Sequence, residues 1–341
     1  MVILSIAVAA LTSTVLMPPT LRVLERLNVV DVASARSSHK GVAVRGTGIA
    51  LTLGILAGLL VALIGSTENR MLIMSVVGIG ILAACLGLAE DTRGLSIRVR
   101  LSGQLGLSII LGASVAIATG MHWIFIPVIA VLGVAYINMS NFMDGLNGMS
   151  GFQGGVAGIA FVSIGIMSGL SWLIVVGALL ATVFVAFLPW NLGRQGTFLG
   201  DSGSYLLGAT HIGLACAAVA VGIPILAAFG STAIYVADTV STLMLRARNG
   251  DKLTTAHRGH VYQRLNNLGW THVATSATVA GFSALTTVTG LFTMRGGNVS
   301  NLAALMIIIG ATTAYVALPT FVGILGQKII TIKNRGNRNN A

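Results

Sequence analysis

Residues 71–91 read MLIMSVVGIGILAACLGLAED, an uncharged run of 19 residues closed by two adjacent acids, Glu90 and Asp91. A helix needs roughly 20 mostly apolar residues to cross the hydrocarbon core of a bilayer, so this stretch predicts a membrane span ending in carboxylates. Similar runs recur along the chain with short polar breaks, beginning near residues 1, 46, 71, 101, 122, 152, 171, 203, 223, 273 and 301. The expected fold is an all-α polytopic membrane protein of about eleven transmembrane helices. Residues 1–341 read as one integral membrane domain, with 1–327 a helical bundle and 328–341 a basic tail. The first run, from Met1 to about Thr20, lacks a basic leader and a small-residue cleavage site, and is expected to be the first span. Of 341 residues, 55% are hydrophobic and 9% charged, which a water-soluble domain with a polar surface does not sustain. The 43 glycines suit helices whose backbones approach closely in lipid. Cys85 and Cys216 stand alone in apolar runs and are read as packing residues.

The net charge of +11 does not point to nucleic acid, because Lys and Arg are scattered between apolar spans without a basic recognition module. Alternating the loops sorts 18 of the 20 basic residues to one face and leaves only Arg70 and Arg295 on the other. Basic residues stay preferentially on the cytoplasmic side, which predicts an outside amino terminus and a cytoplasmic carboxyl terminus. Eight of the nine acids fall on or near the same inner face, Glu68 being the exception. Carboxylates gathered at a membrane boundary are costly unless paired, hydrated or metal-bound, and so mark a candidate site.

Five clusters carry that chemistry. Arg36-Ser-Ser-His39 and Arg45-Gly-Thr-Gly48 join the first inner loop to the second span, where cationic side chains and glycine backbone suit phosphate oxygens. Glu90-Asp91, followed by Arg93, Arg98 and Arg100, has hard oxygen donors for a divalent ion or a proton. Asn138-Met-Ser-Asn141-Phe-Met-Asp144-Gly-Leu-Asn147-Gly148 spaces polar residues by threes, near one helical stripe. Asp201, in Phe198-Leu-Gly-Asp-Ser-Gly-Ser204, opens a span beside hydroxyls and suits either a helix cap or a metal ligand. His257-Arg258-Gly-His260-Val-Tyr262-Gln263-Arg264 places imidazoles and guanidiniums where they can grip a pyrophosphate. Asp238, inside the ninth span, is expected to pair with Arg246 or Arg248, while His122, His211 and His272 read as packing or interfacial residues. A transporter is the competing reading, since intramembrane carboxylates and glycine-broken helices also line substrate pathways. Transporter charges belong near the midplane, however, and all but Asp238 are placed at the boundary.

Taken in this order, the clusters resemble the polyprenyl-phosphate N-acetylhexosamine-1-phosphate transferases, the family that includes MraY and WecA. The resemblance covers most of the chain through the acid pair, the Asn-x-x-Asn-x-x-Asp-Gly segment, the Gly-Asp-Ser-Gly-Ser segment and the His-containing loop. Glu90 stands where the family usually has Asp, and Asn147 where MraY and WecA have an acid. The His motif is closer to the WbpL-like, O-antigen initiating branch than to the phospho-MurNAc-pentapeptide branch. The resemblance implies transfer of a sugar 1-phosphate from a UDP-N-acetylamino sugar to undecaprenyl phosphate, with release of UMP. That would be a first membrane step of envelope polysaccharide synthesis, at the bacterial inner membrane with the site facing the cytoplasm. It implies Mg²⁺, or Mn²⁺, on Asp201 and Asp91, and catalytic roles for Asp91, Glu90, Asp144 and His260. Substrate is expected on Arg36, His39, Arg45, Asn138, Asn141, Asn147, His257, Arg258 and Arg264. Direct attack by the lipid phosphate and a covalent two-step route both remain open, as does a homodimer.

Overall fold

The computed structural model describes residues 1–32, 42–65, 69–193, 197–251 and 259–339. Among them, eleven helices are long and apolar enough to cross a membrane, and each begins within four residues of the position expected from sequence. The first eight are α1 (Val2–Arg26), α2 (Gly48–Gly65), α3 (Arg70–Arg93), α4 (Ile97–Thr119), α5 (Ile126–Met143), α6 (Met149–Ser168), α7 (Ser171–Leu192) and α8 (Gly200–Ala220). The ninth span is broken into α9 (Ile225–Phe229) and α10 (Ala233–Arg248) by a tight 3-10 turn at Gly230–Thr232. A short α11 (Val261–Asn267), then α12 (His272–Leu291) and α13 (Asn298–Asn339), complete the chain, the apolar part of α13 running to Leu325.

Local chemistry sets several of these ends. Gly94, with φ of 64°, closes α3 by donating its N–H to the Glu90 carbonyl, the left-handed stop that glycine makes without a Cβ clash. Ser96 then caps α4 by accepting the Val99 N–H, and Thr271 caps α12 by accepting the Ala274 N–H, each side chain satisfying a donor that has no partner inside the helix.

α8 is the axis of the bundle: every residue from Asp201 to Ala218 is buried. Its many Gly, Ala and Ser residues let α2, α3 and α5 pack directly against its backbone. A Cβ placed on Gly87 of α3 would lie 2.3 Å from the Asp201 carbonyl oxygen and 2.6 Å from the Ser202 nitrogen, and one on Gly48 of α2 would lie 2.2 Å from the Gly203 nitrogen. These are backbone atoms, so no side-chain rotation relieves the clash. Gly87→Ala is expected to cost about 1–3 kcal/mol by overpacking and to lower the thermal midpoint of the detergent-solubilised protein. An unchanged midpoint would show that the contact is looser than described.

The all-α expectation holds, and one short ribbon is added to it. Val30–Val32 (β1) and Val42–Val44 (β2) form an antiparallel ribbon with Val30 opposite Val44. Val44 also bridges in parallel to Thr197, and the Phe198 N–H donates to the Val44 carbonyl at 2.8 Å. β-branched residues favour this local pairing. Its effect is to lay β2 against Thr197 and Phe198, just before α8, which brings Arg45, directly after β2, to the first turn of α8.

Candidate active site

Asp91 lies in the last turn of α3 and Asp201 in the first turn of α8. The Asp91 carboxylate accepts the backbone N–H groups of Asp201 and Ser202, both at 2.9 Å. The first N–H groups of a helix have no partner within it, so a residue on one helix caps another. The positive end of the α8 dipole favours the same carboxylate. Gly200, with φ of +75°, makes the approach possible, because a Cβ there would lie 2.6 Å from Asp91 Oδ2 and glycine alone takes this backbone without cost.

Arg45 joins the two acids. Its Nε is 2.7 Å from Asp91 Oδ1 and its Nη2 is 2.8 Å from Asp201 Oδ1. The Asp91 side chain is fully buried, that of Asp201 is 8% exposed and that of Arg45 is 36% exposed. Asn141, in the last turn of α5, donates to Asp201 Oδ1 at 2.7 Å and to the Ser204 hydroxyl at 3.1 Å. Four segments therefore converge on Asp201: the end of β2, α3, α5 and α8 itself.

Glu90 turns away from this cluster. Its Oε1 accepts from Arg100 Nη1 at 3.1 Å, and its Oε2 accepts the Leu95 N–H. Arg100, in the first turn of α4, also lies 4.0 Å from Asp201 Oδ2. The longer side chain of Glu90 thus ties α3 to α4 and holds a guanidinium at the edge of the cluster.

Asp144 leaves α5 with φ of −81° and ψ of 50°, and Ser150 at the start of α6 donates to its Oδ1 at 2.6 Å. Burial pushes its carboxyl up to about 7; the Ser150 hydrogen bond opposes the rise, and the negative charges of Asp201 and Asp91 add to it. A carboxyl group raised toward neutrality where helix ends meet is suited to accept a proton. The loop around it is held by Asn191 of α7, which donates to the Thr197 carbonyl at 2.8 Å and accepts the Gly148 N–H.

The remaining sequence candidates fall in several places. Asn138 donates to Gln104 Oε1 on α4 at 2.6 Å and to the Val134 carbonyl at 2.8 Å, so the expected stripe divides between two neighbours. Asn147 offers its backbone carbonyl to Ser276 on α12 at 2.9 Å. Arg264 reaches the Thr320 hydroxyl of α13 at 3.5 Å. His260 caps α11 and packs on Phe142, two residues before Asp144, with ring centroids 6.2 Å apart. Arg36, His39, His257 and Arg258 lie outside the described residues. The sequence did not single out Gln104, Ser150 or Asn191; a lone Gln or Asn inside an apolar run was the signal for Gln104 and Asn191, and Ser150 carried none.

Among the described residues, no group of three or more His, Cys, Asp and Glu side chains is arranged to hold a metal ion. The guanidinium of Arg45 stands between the Oδ1 atoms of Asp91 and Asp201. A divalent ion shared by those two carboxylates therefore does not fit the described residues as they are placed.

Eleven apolar helices with a knot of acids, amides and guanidiniums where several of them end define a polytopic membrane protein with a polar site at one boundary. Residues 72–221 match the sequence profile described as Glycosyl transferase family 4. That segment contains Glu90, Asp91, Asn141, Asp144 and Asp201. The chain is also similar, at 27% identity over 301 residues, to the probable undecaprenyl-phosphate N-acetylglucosaminyl 1-phosphate transferase of Bacillus subtilis (strain 168); the alignment covers 80% of this chain and 79% of the relative. The two findings support the polyprenyl-phosphate N-acetylhexosamine-1-phosphate transferase family that the motifs resemble.

Proposed function

We propose that this protein transfers an N-acetylamino-sugar 1-phosphate from a UDP-sugar to undecaprenyl phosphate at the cytoplasmic face of the bacterial inner membrane. The observation that carries the reading is the meeting of Asp91, Asp201, Arg45 and Asn141 at the ends of α3, α5 and α8, with Asp144 directly after α5 and its carboxyl pushed up to about 7. The second ionisation of a phosphate monoester lies near 6, so Asp144 is matched to remove the proton from the lipid phosphate. The freed phosphate oxygen then attacks the sugar-bearing phosphorus of the donor, and the bond from that phosphorus to the bridging oxygen breaks to release UMP.

Phosphoryl transfer depends chiefly on positioning and on charge placed where the phosphate oxygens gather. Arg45 and Arg100 supply positive charge at the cluster. Each is already held by carboxylates and needs little reorganisation to face the donor. Asn141 fixes Asp201, and the Asn191 clamp fixes the loop that follows Asp144. The fall of 18 of the 20 basic residues on one predicted face supports the cytoplasmic orientation through the positive-inside rule.

Purified protein given undecaprenyl phosphate and a panel of UDP-N-acetylamino sugars, beginning with UDP-N-acetylglucosamine, is expected to release UMP with at least one donor. Folded protein that releases UMP with none of them, with or without added divalent ions, would overturn the proposal. The same panel identifies the sugar.

A further inference from the structure

Asp238 lies in α10, outside the acid cluster, and is completely buried. Its Oδ1 is 2.8 Å from His260 Nδ1 and accepts the Val261 N–H at 3.1 Å. Its Oδ2 accepts the Tyr262 N–H at 3.2 Å and the Tyr315 hydroxyl at 2.7 Å. The Thr242 hydroxyl makes a longer contact to Oδ1 at 3.4 Å. One carboxylate thus ties together α10, the first turn of α11 and α13.

A carboxylate surrounded by donors acts only as an acceptor. His260 Nδ1 must then donate its ring hydrogen to the carboxylate, so a proton exchanged by the ring passes through Nε2. The two backbone N–H groups fix where α11 begins, and with it the place of His260. The Tyr262 hydroxyl donates to the Phe142 carbonyl at 2.9 Å, and the His260 ring lies against the Phe142 ring. The imidazole is therefore docked on the same end of α5 that carries Asn141 and Asp144.

We infer that Asp238 is the positioning residue for His260: it sets the imidazole tautomer and holds the ring against Phe142 at the end of α5. This rests on the transferase reading above. Asn in place of Asp238 would turn an amide N–H toward a donor on one side or the other, and the relief open to it at His260 is a tautomer switch that removes hydrogen from Nδ1. A positioned acid–base group contributes roughly 10²–10⁴-fold, so Asp238→Asn and His260→Ala are each expected to lower kcat by about 100-fold or more with KM little changed.

The test is a double-mutant cycle on UMP release. If Asp238 acts through His260, Asp238→Asn adds no further loss in the His260→Ala background; losses that multiply would overturn the inference. Tyr315→Phe removes one donor from Oδ2 without touching the ring and is expected to retain near wild-type kcat. A loss as large as that of Asp238→Asn would assign the effect to the buried network instead. Nitrogen-15 spectra of histidine-labelled protein give a readout independent of turnover: His260 is expected as the Nδ1–H tautomer in the wild type and not in Asp238→Asn, and an unchanged tautomer would refute the assignment. An inactive wild type would sink the transferase reading and leave this spectroscopic test standing.

Discussion

Asp144→Asn is expected to lower kcat by roughly 10²–10⁴-fold while leaving the thermal midpoint unchanged or slightly raised. Burial disfavours the charged carboxylate, and it pushes the group from the ordinary Asp value of 3.8 up to about 7. An uncharged amide of the same shape escapes that desolvation and keeps an acceptor for the Ser150 hydroxyl. The pH dependence follows with two opposite signs. Catalysis needs the carboxylate, so kcat/KM of the wild type should fall about tenfold per pH unit below an ionisation near 7. Stability responds the other way, because the folded state holds a proton on Asp144 between about pH 4 and 7 where the unfolded chain has lost it. This group's contribution to stability is fully present below its unfolded value and is lost as pH rises through 7. A pH–rate profile whose acid limb lies well below 6, or an Asp144→Asn variant with normal turnover, would remove Asp144 from its role as base.

The second large effect is expected at Asp91, and it should look different. Both Asp91 oxygens are engaged, with the Asp201 and Ser202 N–H groups and with Arg45 Nε. An Asn there can accept on one side only, and its amide N–H groups would face a donor on the other. Breaking a buried ion pair costs about 3–5 kcal/mol when one charge is left uncompensated. The partial exposure of Arg45 reduces that, and a loss of about 2–3 kcal/mol is expected. Asp91→Asn should therefore lower the thermal midpoint and turnover together, because the first turn of α8 carries Asp201. Turnover lost at an unchanged midpoint would identify Asp91 as a group that acts on substrate instead of an anchor.

The spans were legible because lipid imposes a length and a polarity that local sequence must satisfy. The acids at Asp91, Asp144 and Asp201 were legible because charge at a membrane boundary is conspicuous. Their division of labour was not. Asp91 meets its N–H donors 110 and 111 residues further along the chain, and no periodicity within α3 announces a partner on α8. The three-residue spacing of Asn138 and Asn141 correctly suggests neighbouring positions on one helix, yet packing sends Asn138 to Gln104 and Asn141 to Asp201. The β1–β2 ribbon hides between two apolar spans because three-residue strands fall below any useful pattern length. Asp238 was visible as an acid in an apolar span; its partner His260 lies 22 residues further along the chain, beyond the end of α10, where no local pattern points back to it.

The contact between Asp238 and Tyr315, 77 residues apart, also sets an order of assembly. Ribosomes deliver the chain from its amino end, so Arg45, Asp91, Asn141, Asp144 and Asp201 are all in the bilayer before α13 has been made. The carboxylate that holds His260 gains its shortest hydrogen bond only when that last long helix slides into place. Until then the nascent protein has its acids assembled and Asp238 without this donor, so α13 joins a network whose other members have already been made.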